Sequence, residues 1–254
     1  MTIKTLIAAM SAGNTLSREA ARDAMEEIMS GAATPAQIGA FITALHIRGE
    51  TPEIIAGCAE AMREKLTPVP CRADVIVDTC GTGGDGAQTF NISTAAAFVV
   101  AGAGATVAKH GNRGVSSRCG SADVLSALGV RVDVDTETMT RCLDELGIAF
   151  LFAPLLHPAM KYAIGPRREI GIRSVFNILG PLSNPAGARY GLLGVYHASL
   201  VPALAHAAAA LGAKRFFVVH GLDGLDEITT TGPTRVGEIR DGQVEEYEIA
   251  PEDV

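Results

Sequence analysis

At Pro68 and Pro70 the residue pattern changes kind, and this change commits the chain to two differently built parts. Up to about residue 67, apolar residues recur at helical spacing. Ser17 stands where an N-cap belongs, ahead of Ala20, Ala21, Ala24, Met25 and Ile28 on one side of a helix that ends near Gly31. Thr34-Pro35 opens a second helix, with Ile38, Phe41, Ile42 and Leu45 on one face and a stop by Gly49; Thr51-Pro52 opens a third, running through Met62. Proline suits a first helical turn because the N–H it lacks has no partner there. Beyond Pro70, short β-branched runs alternate with Ala-rich stretches: strands are expected at 75–77, 106–108, 149–152, 191–195 and 216–219, and helices at 93–101 and 201–211. Such alternation builds a largely parallel sheet. Residues 236–239 and 244–247 flank Asp241-Gly242 as a hairpin. The expected architecture is α/β: a small N-terminal helical domain over residues 1–70 and a larger α/β domain with a mainly parallel central sheet over residues 71–254.

Composition narrows the setting. Hydrophobic residues make up 48% of the chain and aromatic ones only 5%, so the core is built from Ala, Val, Leu and Ile. No uncharged apolar run is long enough to cross a bilayer, and no basic segment leads into an apolar one at the N-terminus, which points to a soluble, cytoplasmic protein with no membrane partner. A net charge of −7 opposes attraction to phosphate backbones, so no nucleic acid partner is expected. The cysteines, Cys58, Cys71, Cys80, Cys119 and Cys142, are odd in number and form no C-x-x-C pair, which suggests neither a zinc site nor a disulfide framework. His46, His206 and His220 lack metal-ligand spacing and read as structural.

Two loops carry the chemistry. Asp78-Thr79-Cys80-Gly81-Thr82-Gly83-Gly84-Asp85-Gly86 follows an expected strand and leads through Asn91-Ile92-Ser93-Thr94 into a helix. Glycines let backbone N–H groups approach an anion, and the helix N-terminus adds unpaired N–H groups and the positive end of its dipole. Gly81, Gly83 and Gly86 also fit G-x-G-x-x-G, but the acidic residue that would bind a dinucleotide's ribose about 20 residues on is missing, since no Asp or Glu occurs between Asp85 and Asp123. The second loop, Lys109-His110-Gly111-Asn112-Arg113-Gly114-Val115-Ser116-Ser117, continues through Cys119-Gly120-Ser121-Ala122-Asp123 into a helix. Its cations can neutralise phosphate oxygens, while Ser121 can also cap the helix.

In this order G-T-G-G-D, N-I-S-T, K-H-G-N-R and G-S-A-D-V-L resemble the anthranilate phosphoribosyltransferases. The likeness continues through His157-Pro158-Ala159-Met160, Arg167, Gly171-Ile172-Arg173, Phe176-Asn177-Ile178-Leu179-Gly180-Pro181-Leu182 and Asn184-Pro185, over nearly the whole chain. The resemblance implies transfer of the phosphoribosyl group of phosphoribosyl diphosphate (PRPP) to the amine of anthranilate, a step of tryptophan biosynthesis. It also implies a homodimer joined through the helical domain, with the active site between the two domains. Matching positions imply that Gly81, Gly84, Asp85, Thr89, Asn91, Ser93, Thr94, Lys109, Ser117 and Ser121 surround PRPP. Gly81, Asn112 and Arg167 would meet anthranilate, with His110, His157 and Pro181 lining its path. Asp226-Glu227 resembles the family's acidic pair for Mg²⁺, with Ser93 as third ligand; hard oxygens suit that ion.

The nearest enzymatic alternative is a pyrimidine nucleoside phosphorylase, against which Arg167 and Asp226-Glu227 count; a non-enzymatic relative that binds nucleic acid is opposed by the acidic composition. The chain stops at Val254, just after the hairpin, where the family resembled continues with further α/β structure. A fragment or shortened chain, with part of the α/β core uncovered, is therefore expected.

Overall fold

The computed structural model describes residues 1–87, 89–114 and 119–253. The elements follow in the order α1 (Ile3–Ser11), α2 (Arg18–Met29), α3 (Pro35–Arg48), α4 (Pro52–Glu64), β1 (Ile76–Gly81), α5 (Ile92–Gly102), β2 (Thr106–Gly111), α6 (Ser121–Ala127) and α7 (Thr136–Leu146). The chain continues through β3 (Ile148–Phe152), α8 (Ala153–Leu156), α9 (Lys161–Ile170), α10 (Phe176–Leu179), β4 (Tyr190–Gly194), α11 (Leu200–Ala210), β5 (Arg215–Gly221), β6 (Thr234–Arg240) and β7 (Gln243–Ile249). They group into two compact units: residues 1–67 with 157–183, and 68–156 with 184–253.

In the helical unit the expected caps form. Ser17 Oγ accepts from the Ala20 N–H, Thr51 Oγ1 accepts from that of Ile54, and Thr34 with Gln37 closes a reciprocal capping box. Helix α1, capped by Thr2, is an addition to the three helices expected here; it packs on α2 and α3 through Ile3, Leu6 and Met10. Helices α2 and α4 approach closely at Gly57, where a Cβ would lie 2.0 Å from the Arg18 carbonyl oxygen. Residues 157–183, which the boundary at residue 70 assigns to the α/β domain, fold instead with these helices: α9 packs on α3, α10 on α4, and Arg63 Nε donates to the Leu182 carbonyl at 2.7 Å.

The other unit is one seven-stranded sheet in the order β3-β2-β1-β4-β5-β6-β7. The first five strands in that order are parallel; β6 and β7 add antiparallel. Asp241 and Gly242 turn between β6 and β7 with φ of 49° and 81°, the left-handed values that a two-residue hairpin loop demands. Helix α5 packs on β1 and β2, α7 on β3, and α11 on β5 and β6. From β1 the chain winds outward to β2 and β3, then returns to β4 on the other side of β1. Strand order therefore reverses between β1 and β4, and in open α/β sheets ligands lodge beyond the carboxyl ends of the strands at such a switch point.

Candidate active site

The carboxyl ends of β1 and β4 are Gly81 and Gly194. The Thr82 N–H donates to the Gly194 carbonyl at 2.9 Å, and the Tyr196 N–H to Thr82 Oγ1 at 3.1 Å, so the glycine-rich loop leaves β1 already tied to β4. Gly83 and Gly84 hold φ of 66° and 83°, a conformation in which an L side chain is strained. Across the gap, the loop between β5 and β6 brings Asp226 to this turn: its Oδ2 accepts the Gly83 N–H at 2.8 Å. The approach is possible only because β4 ends in glycine, since a Cβ on Gly194 would lie 1.5 Å from the Asp226 carbonyl oxygen.

Glu227 beside it accepts the Ser93 backbone N–H, in the first turn of α5. Burial pushes the carboxyls of Asp226 and Glu227 above the usual carboxylate range; nearby Asp85 raises that of Asp226 further, and Asp226 raises that of Glu227. Three carboxylates gathered at a sheet end are thus held in a setting that favours a cation. Among the described residues no three His, Cys, Asp or Glu form a ready cage for a metal ion. Two carboxylates and the Ser93 hydroxyl instead offer hard oxygens to an ion that keeps water and shares substrate phosphate, which is the habit of Mg²⁺.

Beneath the loop lies a buried charge network. The Lys109 ammonium, only 3% exposed, donates to the Thr79 carbonyl and, at 3.3 Å, to Ser93 Oγ. Thr79 Oγ1 donates to the Ser93 carbonyl at 2.9 Å, so β1 and Lys109 together fix Ser93. Asp78, 1% exposed, accepts the His110 N–H at 3.0 Å and the Asn184 amide at 2.7 Å; the same amide group donates to the Ala108 carbonyl at 2.8 Å. Burial lowers the Lys109 pKa and raises that of Asp78, while each opposes the shift in the other. Sequence reading ends β1 at Val77 and β2 at Ala108; both strands run on to Gly81 and Gly111, carrying Asp78 and Lys109 into the sheet interior.

Of the expected PRPP residues, Gly81, Gly84, Asp85, Asn91, Ser93, Thr94 and Lys109 lie on this strand end, loop and helix start or directly beneath them, and Thr89 is exposed in the loop. Asn91 Nδ2 donates to the Cys119 carbonyl at 3.0 Å, which joins the two phosphate-type loops. Ser117 lies outside the described residues. Ser121 begins α6 but does not cap it: the N-cap is Gly120, and the cap is made from inside, where Asp123 Oδ2 accepts the N–H groups of Gly120 at 2.9 Å and Gly114 at 2.8 Å. Arg113 is held by that same carboxylate at 3.0 Å. Asn112 is exposed next to the end of β2, with its carbonyl accepting the Ala122 N–H, and His110 is buried within the strand. The expected anthranilate residues His157, Arg167 and Pro181 belong to the helical unit. There His157 is buried, Arg167 lies with its guanidinium 5.2 Å from the Phe176 ring centroid, and Pro181 sits in a short 3₁₀ turn. Burial lowers the Arg167 pKa and drives that of His157 down to about 4, so His157 is neutral at physiological pH.

Residues 73–254 match the glycosyl transferase family a/b domain, and residues 4–66 its helical bundle domain. Anthranilate phosphoribosyltransferase of Anaeromyxobacter sp. (strain K) is 61% identical over 252 residues, 99% of this chain and 74% of that one. The chain belongs to the anthranilate phosphoribosyltransferase family. The crystal structure of the family member from Thermus thermophilus superposes with a TM-score of 0.91 at 44% identity, covering 97% of this chain and 73% of that one. The Saccharomyces cerevisiae member in complex with PRPP and Mg gives 0.89 at 32% identity, covering 98% and 73%. Next to these family motifs, sequence reading missed the roles of Asp78, Asn184, Asp123 and Gly194. Asp78, Asp123 and Asn184 stand in or beside the quoted motifs, but the partners through which they act are distant or on the backbone, and Gly194 stands in none of them.

Proposed function

We infer that this chain performs its family's reaction, transferring the phosphoribosyl group of PRPP to the amine of anthranilate and releasing N-(5-phosphoribosyl)anthranilate and diphosphate. The observation that carries this reading is the meeting of the glycine-rich turn with Asp226 at the strand-order reversal, directly before the α5 N-terminus. Such a site suits a polyanion: the α5 N-terminus with its helix dipole favours phosphate oxygens, and the carboxylates beside it recruit a divalent ion. Mg²⁺, held by Asp226, Glu227 and Ser93, would supply charge neutralisation of the departing diphosphate. Lys109 supports Ser93 from beneath, so its charge acts on the diphosphate through the loop it braces. As the C1–O bond breaks and the ribosyl centre becomes cation-like, fixed donors stabilise the growing negative charge on the leaving group.

Arg167 offers a planar fork suited to the anthranilate carboxylate, and Asn112 a polar contact. An arylamine is nucleophilic without prior deprotonation, so direct displacement needs positioning more than a strong base, and no covalent enzyme intermediate is formed. We further propose that the helical unit mediates homodimerisation and that the protein works in the cytoplasm. The test is loss of anthranilate fluorescence on addition of PRPP with and without Mg²⁺. Loss that needs both, and that Arg167→Ala reduces at least about 100-fold in kcat/KM, supports the reading; a folded protein without PRPP-dependent loss overturns it.

A further inference from the structure

The acidic pair sits in the loop between β5 and β6, residues 222–233, and something must hold this mostly exposed or half-exposed stretch still enough to aim two carboxylates. Within that loop one side chain bridges both limbs. Asp223 Oδ2 accepts from the hydroxyls of Thr229 and Thr231, and its Oδ1 accepts the Leu225 N–H at 3.3 Å. The Thr231 N–H donates to Thr229 Oγ1 at 3.1 Å, and the Thr229 N–H to Thr234 Oγ1 at 3.0 Å, which anchors the far limb to the first residue of β6. The near limb is pinned by the Gly221 N–H to the Leu225 carbonyl at 2.9 Å and by the Leu222 N–H to the Pro233 carbonyl at 2.9 Å. Asp226 and Glu227 lie between these two anchored limbs, in the short stretch from Leu225 to Thr229 that Asp223 bridges.

The geometry points to Asp223 as a positioning residue for the reaction: it fixes the span that carries Asp226 and Glu227, and thereby the affinity for the divalent ion and for the PRPP that shares it. This rests on the reading of Asp226 and Glu227 as magnesium-holding residues. Asp223 is exposed, with its carboxylate satisfied inside its own loop, so it adds little to the apolar core. Its effect should therefore appear in metal response more than in stability. Groups that orient metal ligands typically matter at about 10–100-fold in metal affinity or activity, which sets the size to look for.

The experiment titrates Mg²⁺ at saturating anthranilate in the fluorescence assay for the wild-type chain, Asp223→Ala, Asp223→Asn and Thr231→Val, with thermal unfolding of each. Asp226→Asn serves as the reference for the metal reading itself. The expected result is that Asp223→Ala raises the Mg²⁺ concentration for half-maximal rate and the KM for PRPP by about tenfold, with a smaller change in kcat. Asp223→Asn, which keeps one oxygen able to accept a hydroxyl but loses the other acceptor, gives a smaller shift of about threefold, and Thr231→Val a partial one. A fall in melting temperature with unchanged Mg²⁺ response overturns the proposal; if Asp223→Ala does not fold, an unchanged Mg²⁺ response in both Asp223→Asn and Thr231→Val does so. Should Asp226→Asn leave Mg²⁺ dependence intact, the metal reading fails and this inference with it, whereas a shift in Asp226→Asn without one in the Asp223 variants defeats this inference alone.

Discussion

Gly194 lacks a side chain because the Asp226 carbonyl occupies the place one would take, 1.5 Å from an added Cβ. Gly194→Ala must push the acidic loop away from the Gly83 turn. We expect kcat/KM to drop at least about 100-fold, the usual consequence of a displacement near 1 Å in a preorganised site, with far-ultraviolet circular dichroism little changed. Asp78 is a different case, since its carboxylate is buried against the Asn184 amide and opposes burial's effect on Lys109. Asp78→Ala leaves the buried Asn184 amide and His110 N–H without this acceptor and removes one of the charges that favour the Lys109 ammonium, so it should lower the unfolding free energy by at least about 2 kcal/mol in urea titrations. His157 adds a pH dependence. Its pKa falls from 6.5 to about 4 on folding, so below pH 6.5 the unfolded chain takes up a proton that the folded one refuses. The stability it contributes is complete above pH 6.5 and is lost as pH falls from there towards 4, by up to about 3 kcal/mol. Urea midpoints measured across that window should decline less steeply in His157→Asn.

At the scale of elements, legibility followed periodicity. Helices α2, α3 and α4 show capping residues and apolar faces in the sequence, and they form where those signals stand. Helix α7 carries a thinner apolar signal: only Met139 and Leu143 are buried in a mostly polar segment. It forms because Asp135 caps it and Gly147 ends it in the left-handed conformation, and because β3 supplies a surface to pack on. Asp135→Ala should therefore remove about 1 kcal/mol of stability, read from thermal unfolding, and leave the reaction rate unchanged. Helix α9 contains Pro166, which lacks an N–H for the helical ladder and masks the element from a pattern-based reading. It is kept by burial of Ala163 and Pro166 within the helical unit.

At the scale of the whole molecule, the chain leaves the sheet unit after α8, contributes residues 157–183 to the helical unit, and returns for β4. Beside Ser93 and Glu227, the sheet unit keeps an apolar recess of about 450 Å³ lined by residues such as Val77, Ile92, Leu192 and Phe217. The binding site proposed at the carboxyl ends of β1 and β4 would link stability to ligand. PRPP with Mg²⁺ at about one hundred times the dissociation constant should stabilise the fold by about 2.7 kcal/mol. We expect a rise in melting temperature with both present that PRPP alone does not give, and that Glu227→Gln reduces.

The sequence alone determined what depends on neighbours in the chain: helix caps at Ser17, Thr34 and Thr51, the glycine-rich turn ahead of α5, the hairpin at Asp241-Gly242 and the family motifs. Caps and turns are settled by hydrogen bonds spanning a few residues, so the residues that make them stand together in the sequence. Tertiary structure alone decided that β4 lies beside β1, that Asp226 meets Gly83 across 143 positions, and that Asp78 finds Asn184 across 106. Those contacts follow from which strands pair and which faces are buried, and strand pairing between distant segments leaves no period in the local sequence from which to read it.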